Sequence, residues 1–395
     1  MSALARPVAI ALASFCAFIN LYAPQSLLPL VAREFGVGAV ESSRLISSTT
    51  LAVALIAPFT GAVADMLGRK RVIVAAMFAL LVPTVMVALA PTLGQMVFWR
   101  FVQGLLLPPV FVVTVAYIGD ELPPAHAAGM AGLYTASSCF GGFFGRFFAG
   151  VLAGPFGMRG AFLGLALVTL AAAVGVLLLL PREKRFVPSR GFRMAMRHMI
   201  GHVIDPDLAA TFAVGFGVLF NFVALFTYIT FYLAAPPFGL SAAALGMIFV
   251  VYLSGVFTTP LTGRLVRRFG RRNFVIAAMA VWVAGLALTL SGSLAVIILG
   301  LVLASGAGFF CQATSTGYIA VSARRARSSA VGLYVTAYYV GGSFGALLPG
   351  YAWNWAGWPG VIAVILVMLA IIAATVLCFW RRTDDSPPAP SVTAG

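Results

Sequence analysis

Two short sequences recur about 200 residues apart, each inside a train of apolar runs long enough to cross a bilayer. Gly61-Ala-Val-Ala-Asp65-Met-Leu-Gly68-Arg69-Lys70-Arg71 returns as Gly263-Arg-Leu-Val-Arg267-Arg-Phe-Gly270-Arg271-Arg272. Gly132-Leu-Tyr134 with Gly141, Gly142 and Gly145 returns as Gly332-Leu-Tyr334 with Gly341, Gly342 and Gly345. Such repetition is the sequence form of two similar membrane bundles meeting face to face, the plan of an alternating-access transporter. With 62% apolar and 9% charged residues, the chain lacks the polar side chains that a water-facing surface requires.

Runs of about 20 apolar residues, roughly 30 Å of helix each, predict twelve spans. They are Val8–Val31, Leu45–Ala64, Val72–Leu89, Leu93–Tyr117, Gly129–Leu152, Ala161–Leu180, Ala209–Ala234, Ala242–Leu261, Phe274–Leu290, Leu294–Ile319, Val331–Tyr351 and Val361–Trp380. The fold class expected is an all-α membrane protein, twelve helices in two pseudo-symmetric six-helix bundles. Residues 1–181 form the first bundle, 182–207 a cytoplasmic basic linker, 208–382 the second bundle, and 383–395 a disordered cytoplasmic tail. Met194–His202 in the linker reads equally as a short basic amphipathic helix on the inner leaflet or as unstructured chain.

A net charge of +15 would suggest nucleic acid in a soluble protein, but the placement of the cations encodes orientation instead. With the N-terminus inside, twenty of the 25 basic residues fall in cytoplasmic segments, and the outer loops hold only Arg33, Arg44 and Arg159. Both termini are expected in the cytoplasm. Arg6 ahead of an apolar run also fits a secretory signal, but the run continues through Asn20 and Gln25 to Val31, too long for a signal core. Cys16, Cys139, Cys311 and Cys378 lie within spans without metal-ligand spacing and read as packing residues. With Lys70 and Lys184 the only lysines, no Walker phosphate loop exists. His126, His198 and His202 are all in cytoplasmic segments, so no enzyme, cofactor or metal centre is expected.

The ten acids, Glu34, Glu41, Asp65, Asp120, Glu121, Glu183, Asp205, Asp207, Asp384 and Asp385, all fall in loops or at span ends. No mid-membrane carboxylate is available as a proton relay. Two cations are inside the membrane instead: Arg100 in span four and Arg146 in span five. An arginine there costs about 2.5–3.5 kcal/mol at mid-helix on insertion scales, so each needs a partner. Arg146, one turn from Gly142, reads first as structural. Arg100, with Gln103 one turn later on the same face, reads as functional.

Glycine, Asp four residues on, then Gly-Arg-Lys-Arg in the turn between spans two and three resembles the signature loop of the major facilitator superfamily. The resemblance covers the whole chain, including the degenerate second loop and Arg100-Phe-Val-Gln103-Gly104 in span four. The Gly-Gly-Phe-Phe-Gly-Arg146 run and Leu28-Pro-Leu-Val-Ala-Arg33-Glu34-Phe-Gly36 look most like the YnfM-type (acriflavine-sensitivity) branch of bacterial efflux carriers. One departure is that Gly154-Pro155 comes only after span five, where drug:proton antiporters often carry a Gly-Pro pair within it.

The resemblance implies a secondary transporter of the bacterial inner membrane. Proton-coupled efflux of an amphipathic compound or drug leads; carriage of an anionic metabolite recognised by the intramembrane arginines is the alternative. A non-transporting sensor or lipid scramblase is the reading from another class. Expected partners are a small-molecule solute, protons as coupling ion and the lipid bilayer, without nucleic acid, for a monomer. In this fold spans one, four, seven and ten line the cavity, which nominates Asn20, Tyr22, Gln25, Arg100, Gln103, Asn221, Phe222, Thr227, Tyr228, Tyr232, Cys311 and Gln312, with Arg146 beside them; about half are expected to point elsewhere. Gly61, Gly68, Arg69, Lys70 and Arg71 form the gating loop. Asp65 is expected to face the N-terminus of span eleven near Ser328-Ser329, where free amides favour a carboxylate, and so to latch the cytoplasmic side.

Overall fold

The computed structural model describes residues 4–183, 206–322 and 327–380, without the side chains at 124–125, 206–207, 320–322 and 327–329. The Met194–His202 segment and the tail lie outside the described residues. Helix accounts for almost everything described, and no strand occurs among those residues. Ten helices are long and apolar enough to cross a membrane. Two of them, Pro124–Leu179 and Arg327–Phe379, turn back on themselves at Gly157 (φ 66°, ψ −173°) and Gly357 (φ 60°, ψ −143°). Side chains beyond glycine are excluded from that backbone conformation. The reversal is visible in packing: a carbon added at Gly164 would strike Leu152 and Phe148, residues about 18 and 24 Å away along a straight helix. Each long helix is therefore two spans, and the crossings among the described residues number twelve.

The helices outrun the apolar stretches. Span two is helical over Ala39–Leu67 and span four over Leu93–Leu106 and Pro108–Glu121, broken where Pro108 lacks an amide. Span one consists of Ala5–Tyr22, a 3₁₀ turn at Ala23–Leu27 and Leu28–Phe35. Span eight has the same plan: Ala242–Ile248, a 3₁₀ turn at Phe249–Leu253, then Ser254–Phe269. The internal repeat is also a repeat of backbone, since Gly68 (φ 92°, ψ 138°) and Gly270 (φ 74°, ψ 149°) cap spans two and eight alike.

Close backbone approach holds each half together. A carbon at Gly141 or Gly145 would collide with the backbone of Phe15 or Ile19 in span one, and one at Gly341 or Gly345 with Phe216 or Phe220 in span seven. The two halves meet along spans two and eleven. Ser47 Oγ lies 2.7 Å from Ser343 Oγ, Thr336 Oγ1 donates to the Ala54 carbonyl at 3.2 Å, and Gly332 packs on Pro58. At the end that carries Gly157 and Gly357, Gly150 presses on Ala242 and Gly246 on Arg146 and Phe147. At the opposite, basic end, residues 126–138 of span five are half-buried or exposed throughout, as are 257–269 of span eight apart from Thr262. The hydrogen bonds Gln25–Thr227, Ser43–Tyr228, Ser47–Ser343 and Ala54–Thr336 join the halves from the far end to the middle of span two. The halves are thus closed at the far end and part toward the basic end.

Candidate functional site

Pro24 decides the fate of Arg100. A helix carbonyl normally receives the amide four residues on, but Pro24 has none, which leaves the Asn20 carbonyl free, and the 3₁₀ turn that follows releases Leu21. The Arg100 guanidinium fills both vacancies: Nη1 donates to Asn20 O and Nη2 to Leu21 O, each at 2.7 Å. Nε reaches Leu45 O at 3.1 Å and Nη1 also reaches Gln103 Oε1 at 2.6 Å. Gln103 Nε2 donates to Thr84 Oγ1 (2.8 Å), which lies 3.2 Å from Asn20 Oδ1, while Asn20 Nδ2 donates to Thr169 Oγ1 and Cys16 O, both at 2.9 Å. Every group in this network is buried and spans one, two, three, four and six are stitched by it. Arg100, Gln103 and Asn20, nominated for the cavity, spend these hydrogen bonds inside the first bundle, because a kinked span one supplies carbonyls that a sequence does not display.

Arg146, expected to be the structural one, stands at the junction of the two halves. Its Nε and Nη2 both donate to Gln25 Oε1, at 2.8 and 2.5 Å, and Nη1 donates to Gly142 O at 2.6 Å. The Gly142 bond fits the gap-filling role, but the rest of the group does not. The guanidinium carbon lies 4.8 Å from the ring centre of Tyr22, 4.3 Å from Phe249 and 4.5 Å from Tyr252, a cation–π cage. Tyr22 belongs to span one, whereas Phe249 and Tyr252 ride on the 3₁₀ turn of span eight in the other half. Gln25 extends the connection, its Nε2 donating to Thr227 Oγ1 of span seven at 3.1 Å, and Ser26 Oγ donates to the Arg146 carbonyl at 2.7 Å.

Behind this cage the second half is packed with rings. Phe222, Phe226, Phe249, Tyr252, Phe309 and Trp282 interlock, with centroid separations from 4.7 to 6.0 Å. Phe111 of span four touches Tyr339 of span eleven at 5.8 Å, and Tyr339 meets Tyr338. Tyr228 hydroxyl donates to Ala346 O at 2.6 Å and approaches Ser43 Oγ of the first half at 3.4 Å. Tyr232 instead stacks on Trp358 (5.5 Å, 10°), within its own half near the far end. Cys311 is fully buried in the core of the second half and Gln312 is half-buried on span ten. Asn221 is completely buried, and neither its amide nitrogen nor its oxygen finds a hydrogen-bond partner among the described residues. Phe249, Tyr252, Tyr338 and Tyr339 escaped a reading confined to spans one, four, seven and ten. The signal that points to them is the demand of an intramembrane cation for partners, met by the aromatic pair in Phe249-Val-Val-Tyr252.

At the basic end, Arg69 pairs with Asp65 at 3.2 Å and with Asp120 at the end of span four. Lys70 Nζ donates to the Leu180 carbonyl at 2.5 Å and its amide to Glu183 Oε2 at 3.4 Å. Gly68 is close-packed against the Glu183 carboxylate, whereas a carbon at Gly61 would meet open space. Asp65 therefore has its partner inside the first half; the side chains of Ser328 and Ser329 fall outside the described residues. In the second half Arg271 lies 4.5 Å over the Tyr318 ring, which packs on Trp380. The described residues contain no cluster of His, Cys, Asp and Glu suited to a metal.

Known proteins share this architecture. The family model of the Major Facilitator Superfamily matches residues 10–255 and again 211–394. The Escherichia coli inner membrane transport protein YnfM is 32% identical over 91% of this chain and 86% of that protein. An uncharacterized MFS-type transporter of Bacillus subtilis, YybF, is 30% identical over 91% and 89%. Among solved structures, the nucleoside transporter NupG (D323A mutant) superimposes with a TM-score of 0.78 at 14% identity over 95% of this chain and all of that one. A bacterial homologue of the human lysosomal transporter Spinster, inward-facing and occupied, gives 0.75 at 17% identity over 97% and 98%. The chain belongs to the major facilitator superfamily, as a multi-pass membrane transporter with YnfM among its relatives.

Proposed function

We propose that this transporter carries a small amphipathic, ring-bearing solute across the bacterial inner membrane by rocking residues 1–181 against residues 208–382. The observation that carries this reading is the aromatic junction, closed at the far end by the Arg146 cage and parting toward the basic end. Ring faces and a scarcity of directed polar groups suit a bulky apolar body. The excess of Arg and Lys makes the basic end cytoplasmic, so the described state is open to the inside. Asp65, through Arg69 and Asp120, belongs to the gate that closes the cytoplasmic side when the carrier turns outward. The working direction is efflux in exchange for protons, which rests on the resemblance to the YnfM-type branch. Both rocking halves belong to one chain, so the monomer is the functional unit in this reading.

Flux in proteoliposomes tests the reading. A fluorescent amphipathic dye should leave vesicles only when the protein is present, and faster under an imposed proton gradient. Movement indifferent to the gradient would replace antiport by facilitated transport. No movement across a broad panel of dyes, sugars and organic acids would favour a sensor, and lipid flip-flop in the same vesicles a scramblase.

A further inference from the structure

The two buried arginines differ in a way that bears on what is carried. Arg100 makes four hydrogen bonds, three of them to main-chain carbonyls of its own bundle, so nothing in a rocking motion disturbs it. Arg146 points two N–H groups at one amide oxygen, Gln25 Oε1, an arrangement that the two oxygens of a carboxylate would satisfy better, being planar, paired and charged. Its charge meets ring faces and the neutral oxygens of Gln25 and Gly142 but no carboxylate: no described ion pair includes it, and the described acids sit near or beyond helix ends. Two of those three rings, Phe249 and Tyr252, belong to the second half.

Resting on the transporter reading above, we infer that the solute bears an anionic group, a carboxylate in the first instance, and that Arg146 with Gln25 is the subsite receiving it. When the far end opens, Phe249 and Tyr252 leave with the second half, and so does Thr227, which holds Gln25. An empty carrier then leaves the guanidinium with only Gln25, Gly142 and Tyr22 for company in a site of low dielectric, which is costly. A loaded carrier replaces the departing rings with charge-assisted hydrogen bonds from the solute. The anion thereby lowers the barrier to far-end opening, and the aromatic body of the same solute rests on Tyr22, which stays with Arg146. Specificity and gating are two consequences of one side chain.

Dansylglycine and its neutral counterpart dansylglycinamide separate the charge from the ring system. With the full-length protein in proteoliposomes, and protein-free vesicles subtracted, the carboxylate should move about tenfold or more faster than the amide, the discrimination worth one directed ionic contact. Arg146→Gln should bring the two rates together by loss of the carboxylate's advantage, and Arg146→Lys should restore part of it; thermal unfolding in detergent confirms that each variant is folded. Should Arg146→Gln slow both compounds equally, or the parent carry the amide and refuse the carboxylate, the subsite is wrong while transport stands. If neither compound nor any other solute moves, the transporter reading falls with it. If both variants unfold, stabilisation of the parent by dansylglycine over dansylglycinamide decides: equal shifts overturn the subsite.

Discussion

The two halves of the molecule share a backbone plan and differ in what fills it. In the first half Asn20 is the centre of a polar network reaching Thr84, Thr169, Gln103 and Arg100. In the second half Asn221 occupies the equivalent place, but the repeat supplies Gly285 or Leu286, Leu369, Ala304 and Gly300 or Leu301 around it. The amide is kept and its partners are gone. Rings and glycines do the packing there instead: Phe222 lies against Trp282, and Gly285 and Gly300 bring spans nine and ten into backbone contact. Hydrogen bonds have direction and ring contacts have little, so the first half is a fastened frame and the second a body that can repack. The frame carries Arg146, and the adaptable half presents the 3₁₀ turn that closes over it.

The largest effect should come from Arg100→Met. It removes the donor from the Asn20 and Leu21 carbonyls that the kink leaves open, and one of two side-chain donors from the Leu45 carbonyl, which Thr49 also reaches, at a cost of about 3–5 kcal/mol, read as a collapse of folded yield and of thermal midpoint in detergent. Retention of a near-parent midpoint would mean that the network does not brace the first half. Next is a paired test of the asymmetry. Asn20→Leu should cost about 2 kcal/mol by removing the buried amide that ties Thr169 to Thr84, whereas Asn221→Leu should be neutral or stabilise by about 1 kcal/mol, since it deletes an unpaired buried amide. Equal losses at both positions would erase the distinction between the halves.

A smaller pair should show no asymmetry at all. Gly145→Ala and Gly345→Ala each drive a carbon into the backbone of a neighbouring span, and each should cost about 1–2 kcal/mol in thermal unfolding. Unequal values would show that the shared backbone plan is looser in one half. Smallest in stability is Asp65→Ala, which removes an exposed partner of Arg69, an ion pair of a kind worth about 1 kcal/mol or less. Expression should be unchanged while cysteines placed at the basic end gain reactivity toward a membrane-impermeant maleimide, the sign of a shifted inward-open population. Unchanged reactivity would remove Asp65 from the gate.

The helices were legible because a bilayer demands long apolar runs, and the halves because their loops repeat. The turns at Gly157 and Gly357 lay between predicted spans, and the two glycines stand 200 residues apart, as the repeat requires. Both arginines were legible as buried cations, but their partners were not. Arg100 is held by carbonyls, which every residue carries and no side-chain pattern announces; only Pro24, four residues beyond Asn20, hints that one is free. Arg146 is held by rings from a helix far away in sequence, and aromatic residues are so common in this chain that Phe249 and Tyr252 did not stand out before the fold brought them over the guanidinium.

That the far-end seam opens in every transport cycle can be tested by closing it covalently. In a protein with Cys378 replaced by Ser, the pair Ser47→Cys and Ser343→Cys places two thiols where hydroxyls lie 2.7 Å apart. A disulfide should form readily under mild oxidant, stop flux in proteoliposomes, and release it again on reduction. Oxidised, fully cross-linked protein that still carries solute at the parent rate would contradict the account.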